Sequence, residues 1–153
     1  MTAAGFRSQT WLAAWLGLGH ATADGSSAFL LGRLGGGDEL QVADLGALVL
    51  LYNALAFAAQ PLAGWLTDRT RRPLAAALLG LGLQALAILL FVADASVPAT
   101  APVTLAGLGS ALFHVGGSTL AFRSTPGRAA GSGLFTSPGV LGLALAGAAA
   151  LMG

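Results

Sequence analysis

Three side chains in this sequence could handle a proton or a charged solute in apolar surroundings: His20, Asp24 and His114. Each falls near the middle of a long apolar stretch. An aspartate at the centre of a membrane helix costs roughly 2.5–3.5 kcal/mol on insertion scales. A residue that expensive is a functional hypothesis by default. His20 and Asp24 are four positions apart, so on a helix they share a face and could pair or exchange a proton. The plainer alternative is an interhelical hydrogen bond that only locks packing, for instance with Asn53. Asn53 is a further candidate pathway residue, but with Gln60 and Gln84 it ranks below the three, because neutral amides commonly serve as packing glue between membrane helices. Two histidines on different stretches are too few for a metal site. With no cysteine in the chain, thiolate ligands and disulfides are excluded.

The elements that must position these residues are legible in the composition. Of 153 residues 56% are hydrophobic and 8% charged, against about 25% charged in a soluble domain. So few charges cannot cover a water-facing surface, which makes the lipid bilayer the main solvent. Five apolar stretches, 11–31, 45–66, 73–93, 102–122 and 130–152, each approach the ~20 residues that a helix needs to span a bilayer. Alanine, leucine and glycine dominate and β-branched residues are sparse, which opposes strands; an outer-membrane barrel would show short alternating segments. The first stretch is long and leads into four more, unlike a cleaved signal peptide. The fold class expected is all-α and integral to the membrane, with about five transmembrane helices in one domain over 1–153. No basic run marks a nucleic-acid partner. No nucleophile–base pair, phosphate loop or cofactor motif marks an enzyme.

The links between the stretches set the expected orientation. Short links make neighbouring helices antiparallel, so the links alternate sides of the membrane. Segments 34–44 and 94–101 are neutral to acidic, whereas 67–72 and 123–129 are basic. Arg7, Arg69, Arg71, Arg72, Arg123 and Arg128 fall on one side and only Arg33 on the other. Six against one predicts a cytoplasmic N-terminus. All seven cations are arginine, which reads as the mark of a GC-rich bacterial genome; the membrane expected is the bacterial cytoplasmic (inner) membrane. Small residues predict close helix packing: Gly17, Ala21 and Gly25 on the first helix, and Gly131, Gly139, Gly142 and Gly147 on the fifth. Pro138 is expected to kink the fifth helix and free a carbonyl that neighbours must satisfy.

The block from Gly64 to Pro73, GWLTDRTRRP, is a tight link between two antiparallel helices. Gly64 permits close approach there. Arginines sit well near the negative end of the second helix, and Pro73 suits the first turn of the third. Asp68 among arginines predicts an ion-pair network reaching Arg123 or Arg128.

This block, with Asp68, Arg69, Arg71 and Arg72, resembles the loop signature between helices two and three of major facilitator superfamily transporters. Three further stretches, Gly19–Asp24, Gln60–Gly64 and Gly107–His114, resemble the fosmidomycin-resistance-type exporters within it. The resemblance implies a proton-driven transporter of a small solute, built from two six-helix halves, with the N-terminal half matched here. On that reading Asp24 with His20 or His114 takes and releases the proton during efflux, most simply as an antiporter. Gly64, Asp68 and the arginines form a cytoplasmic latch. The chain departs from the branch at Val115 and Gly116, where proline and an acidic residue follow the helix-four histidine, and at Val103, the place of an arginine in many drug–proton antiporters. Five stretches ending at Gly153 predict an incomplete half, a truncated or split-gene product, working with a separate C-terminal half or a second copy. The alternative from another class is a non-transporting membrane subunit that packs against partner helices.

Overall fold

The computed structural model describes residues 3–37, 40–93 and 96–152, with side chains from Thr10 onward. The side chain of Arg7, and Asp38, Glu39 and Asp94 from the acidic links, lie outside the described residues. The described residues form five helical rods and no strand. They are α1 (Ala3–Gly36), a broken second rod, α4 (Pro73–Ala93), α5 (Thr100–Ser124) and α6 (Ala129–Leu151). The second rod is α2 (Val42–Asn53), a π-helical turn (Ala54–Ala58) and α3 (Gln60–Thr70).

Among the described residues, four rods (42–70, 73–93, 100–124 and 129–151) are long and apolar enough to cross a membrane. The first rod has the length, at 34 residues, but its middle carries His20, Thr22, Asp24, Ser26 and Ser27. The first rod, the second rod and α5 also overrun the apolar stretches read from the sequence, α1 most of all, while α4 and α6 keep to theirs within a residue. Hydropathy marks where a helix meets lipid, whereas the hydrogen-bonded ladder continues into the polar links.

Burial differs from that of a soluble protein. Large apolar side chains such as Trp11, Trp15, Leu62, Leu89 and Leu145 are exposed, while the interior mixes alanines, Leu30, Val103, Phe113 and Phe135 with His20, Ser27, Gln84 and Ser110. Lipid tails are as apolar as leucine, so close backbone approach and interior hydrogen bonds hold such a bundle together.

Two helix pairs carry most of the packing, α1 on α6 and α4 on α5. In the first pair Gly17 lies against Leu134 and Pro138, Gly25 against Gly142 and Ala146, and Gly32 against Ala150. The contacts advance in step, so α1 and α6 run parallel. Helix α6 is unbroken through Pro138. A proline here removes the N–H that would bond the Leu134 carbonyl, and that carbonyl faces Gly17, where a side chain would collide with it. In the second pair a Cβ on Gly80 would stand 2.6 Å from the Gly109 carbonyl oxygen, and one on Gly116 would stand 2.5 Å from that of Pro73. Here the contacts run in opposite order, as antiparallel neighbours require.

The second rod is broken where Pro61 enters it. Proline cannot donate to the ladder, and the preceding turn widens to a π-helix, a form that mostly occurs as single turns inside α-helices. The Gln60 side-chain amide donates to the Ala56 carbonyl at 2.9 Å, within this turn. Tight reversal from α3 into α4 is achieved by Arg71, the non-glycine residue with positive φ (54°) among those described, followed by Pro73 at the start of α4.

Candidate functional site

His20 and Asp24 project from α1, and His114 from α5, into one cluster. His20 Nε2 lies 2.9 Å from His114 Nε2 and 3.1 Å from Asp24 Oδ2. Asp24 Oδ1 lies 3.4 Å from His114 Nε2. Thus the three residues that the sequence flags by cost share one site, 94 residues apart in the chain at the widest.

The rings are held by their other nitrogens. His20 Nδ1 is 2.8 Å from the Phe135 carbonyl oxygen, and His114 Nδ1 is 2.8 Å from the carbonyl oxygen of Ser110. A carbonyl only accepts, so each Nδ1 carries the hydrogen and donates. Ser110 Oγ approaches the same His114 nitrogen at 3.2 Å, and Tyr52 donates to Ser110 Oγ at 3.4 Å, extending the network toward α2. With Nδ1 protonated in both rings, each neutral imidazole turns a bare lone pair inward. Two lone pairs and a carboxylate then face one another. One positive charge among them, a proton to begin with, turns this repulsion into hydrogen bonds and neutralises Asp24.

Aromatic packing fixes the rings further. His20 stacks on Phe135 with centroids 4.5 Å apart and planes 24° apart, and meets His114 edge-on at 4.6 Å. Behind His20 lies Gly139, where a Cβ would stand 2.7 Å from the ring. Sequence reasoning missed four contributors. Ser110 was within reach of it, lying one turn before His114 on the same face. Tyr52 and Phe135 carry no local signal, because only the packing of α2 and α6 brings them in, and Gly139, expected only as a close-packing position, gives no sign that it backs His20.

Other expected members stand elsewhere. Asn53 does not bond Asp24. Its Nδ2 donates to the Val49 carbonyl of its own helix at 2.7 Å, at the point where the rod widens into the π turn. Gln84 packs as glue, its Oε1 accepting from Ser26 Oγ at 2.6 Å and Ser27 Oγ at 3.1 Å. The expectation that two histidines are too few for a metal site counted them by their places in the chain. Folding gathers one ligand atom each from His20, Asp24 and His114 within 4.8 Å of one another.

The basic link differs from expectation. Among the described residues Asp68 forms no ion pair with Arg123 or Arg128; Asp68 and Arg123 are exposed. Arg69 instead lies over the Trp65 ring at 5.4 Å, a cation–π contact. Gly64 is not required by packing, since a Cβ there would meet Val115 Cγ1 at an ordinary 3.9 Å. The departures at α5 have packing reasons. Val103 is fully buried in the apolar interior, and Gly116 sits on the α4 backbone with no room for an acidic side chain.

Fold and site together define a multi-pass helical membrane protein with a His–Asp–His cluster inside the bundle. No family model matches the chain, and no solved structure matches it. The chain is similar to the uncharacterized MFS-type transporter YfnC of Bacillus subtilis (strain 168), with 36% identity over 87 residues. That alignment covers 56% of this chain and 21% of the relative, so the chain matches about a fifth of the relative's length.

Proposed function

We propose that the chain is part of the N-terminal half of a major facilitator transporter, moving a small solute in exchange for protons, in the direction of efflux. The observation that carries this reading is the convergence of His20, Asp24 and His114 in the interior of a membrane bundle. The partial likeness to an MFS-type transporter supports it. The cluster lies where α1 meets α5, and inverted three-helix repeats place transporter sites at such meetings near the midplane. Proton loading would occur on the inward Nε2 lone pairs, and solute binding would displace that proton. A second helical unit, from a C-terminal half or a second copy, would supply the other wall of the pathway. Gly64, Asp68, Arg69, Arg71, Arg72, Arg123 and Arg128 would act as a cytoplasmic latch. Its ion pairs would close in a state other than the present one, where Asp68 stands apart from the arginines of α5 and the α5–α6 link.

Asp24→Asn tests the coupling. In proteoliposomes holding the chain with its complementary half, the variant should insert with unchanged helix content and lose solute-dependent proton flux, read with an entrapped pH dye. Wild-type flux retained by the variant would remove Asp24 from the mechanism.

Orientation has its own test. With the basic links cytoplasmic in a bacterial inner membrane, single cysteines at Thr70 and Ser96 should react from opposite sides with an impermeant maleimide. Equal labelling of both from outside would overturn the proposed topology.

A further inference from the structure

We infer that His20, Asp24 and His114 form a binding site for a divalent transition-metal ion of the zinc, cobalt or nickel kind. Three independent features of the cluster point to a metal rather than to a proton alone.

The first is the triangle of ligand atoms. An ion about 2.0–2.1 Å from each of three tetrahedral ligands holds those atoms about 3.3–3.4 Å apart. Here the two Nε2 atoms stand 2.9 Å apart, Asp24 reaches His20 with Oδ2 at 3.1 Å and His114 with Oδ1 at 3.4 Å, and one donor atom from each residue lies within 4.8 Å of the others. Parting the two nitrogens by about 0.4–0.5 Å and turning one carboxylate oxygen toward the ion completes one face of the coordination shell. A single proton is shared between two donors at a time, whereas a metal engages all three together.

The second feature is the outer hydrogen bonds. Metal-ligating histidines almost always donate the other ring N–H to a carboxylate, a carbonyl or water, which fixes the tautomer and aims the lone pair. Both rings do so here, His20 to Phe135 O and His114 to Ser110 O. Their Nε2 lone pairs are therefore preset for a cation.

The third feature is chemistry and access. Two imidazoles with one carboxylate suit zinc, nickel and iron, and they disfavour magnesium and calcium, which take oxygen ligands. His20 and Asp24 are placed on one helix face by their four-residue spacing, and α5 brings the third ligand across. His114 and Asp24 keep 23% and 18% of their side-chain surface accessible. A fourth position is thus open to water or to a solute group, the arrangement of an exchangeable site and not of a sealed structural one. Metal binding here does not depend on the transport reading, since the donors belong to this chain alone.

Cobalt(II) titrated into the purified chain in detergent micelles reads the site directly. The expected result is one cobalt per chain with the visible d–d bands of a four-coordinate ion, displaced by zinc(II) and not by magnesium. Asp24→Asn and His114→Gln should each weaken binding by more than the roughly 10–100-fold that losing an outer hydrogen bond costs. Circular dichroism checks that each variant remains helical. The wild-type titration also stands without the variants, should one of them fail to fold. Absence of four-coordinate bands in the wild type would leave the cluster a proton site and overturn the inference. So would bands of equal strength in both folded variants, which would place the cobalt elsewhere.

Discussion

Replacing Gly142 with leucine should force α1 and α6 apart and cost more than about 3 kcal/mol, beyond the range of ordinary overpacking. A Cβ on Gly142 would stand 2.7 Å from both Cα and the carbonyl carbon of Ala21 and would collide with the carbonyl oxygen. These are backbone atoms of the facing helix, so no rotamer change relieves the overlap. The same interface is lined by Gly17 and Gly25 of α1 and Gly139 of α6, and a wedge at Gly142 would disturb the pair over several turns. Gly133→Leu on the same helix is the matched control, because nothing among the described residues lies within 4 Å of a Cβ there. It should shift stability by no more than about 0.5 kcal/mol, with a small gain possible from stiffening a helical glycine. Denaturant unfolding in mixed micelles compares the two. Equal losses at Gly142 and Gly133 would show that α6 does not pack on α1 as described.

Much of this architecture is legible in the sequence because lipid imposes a simple rule. A helix must be long and apolar to satisfy its backbone in hydrocarbon, so the spans from 42 to 151 stand out as apolar runs. The first rod, less apolar than the others, is the instructive exception. Its centre faces the interior, and its composition reports the site rather than the lipid. The cost of burying Asp24, His20 and His114 identifies them one at a time, but not their meeting at 2.9–3.4 Å. That depends on how far α5 slides along α1. Nor does the sequence show that Gly80, Gly109 and Gly116 are pressed against the α4 and α5 backbones while Gly82 and Gly133 face open space. A glycine looks the same in either place. Asn53 stands outside the cluster, its amide bonding the Val49 carbonyl of its own helix, and nothing in the residue type foretells that choice of partner.

The least expected support of the cluster is Gly139, and its removal should be felt through His20 alone. A methyl group at this position would stand 2.7 Å from Cδ2 and 2.8 Å from Cε1 of the imidazole. The ring is fixed between that surface, the stacked Phe135 ring and the Phe135 carbonyl. It cannot retreat without losing the hydrogen bond that sets its tautomer. Gly139→Ala should therefore cost about 1–3 kcal/mol as overpacking, and it should also move His20 Nε2 out of line with His114. In a His20→Ala background the ring is gone and the added methyl group enters the vacated space. There the same Gly139→Ala change should be close to neutral, giving a coupling energy of about 1–3 kcal/mol across the double-mutant cycle. Unfolding of the four proteins in mixed micelles measures the stability cycle, and a histidine ring NMR signal reports the displaced imidazole in the single variant. If Gly139→Ala costs the same with and without the His20 ring, then α6 merely packs poorly at that point. In that case Gly139 would not position the histidine.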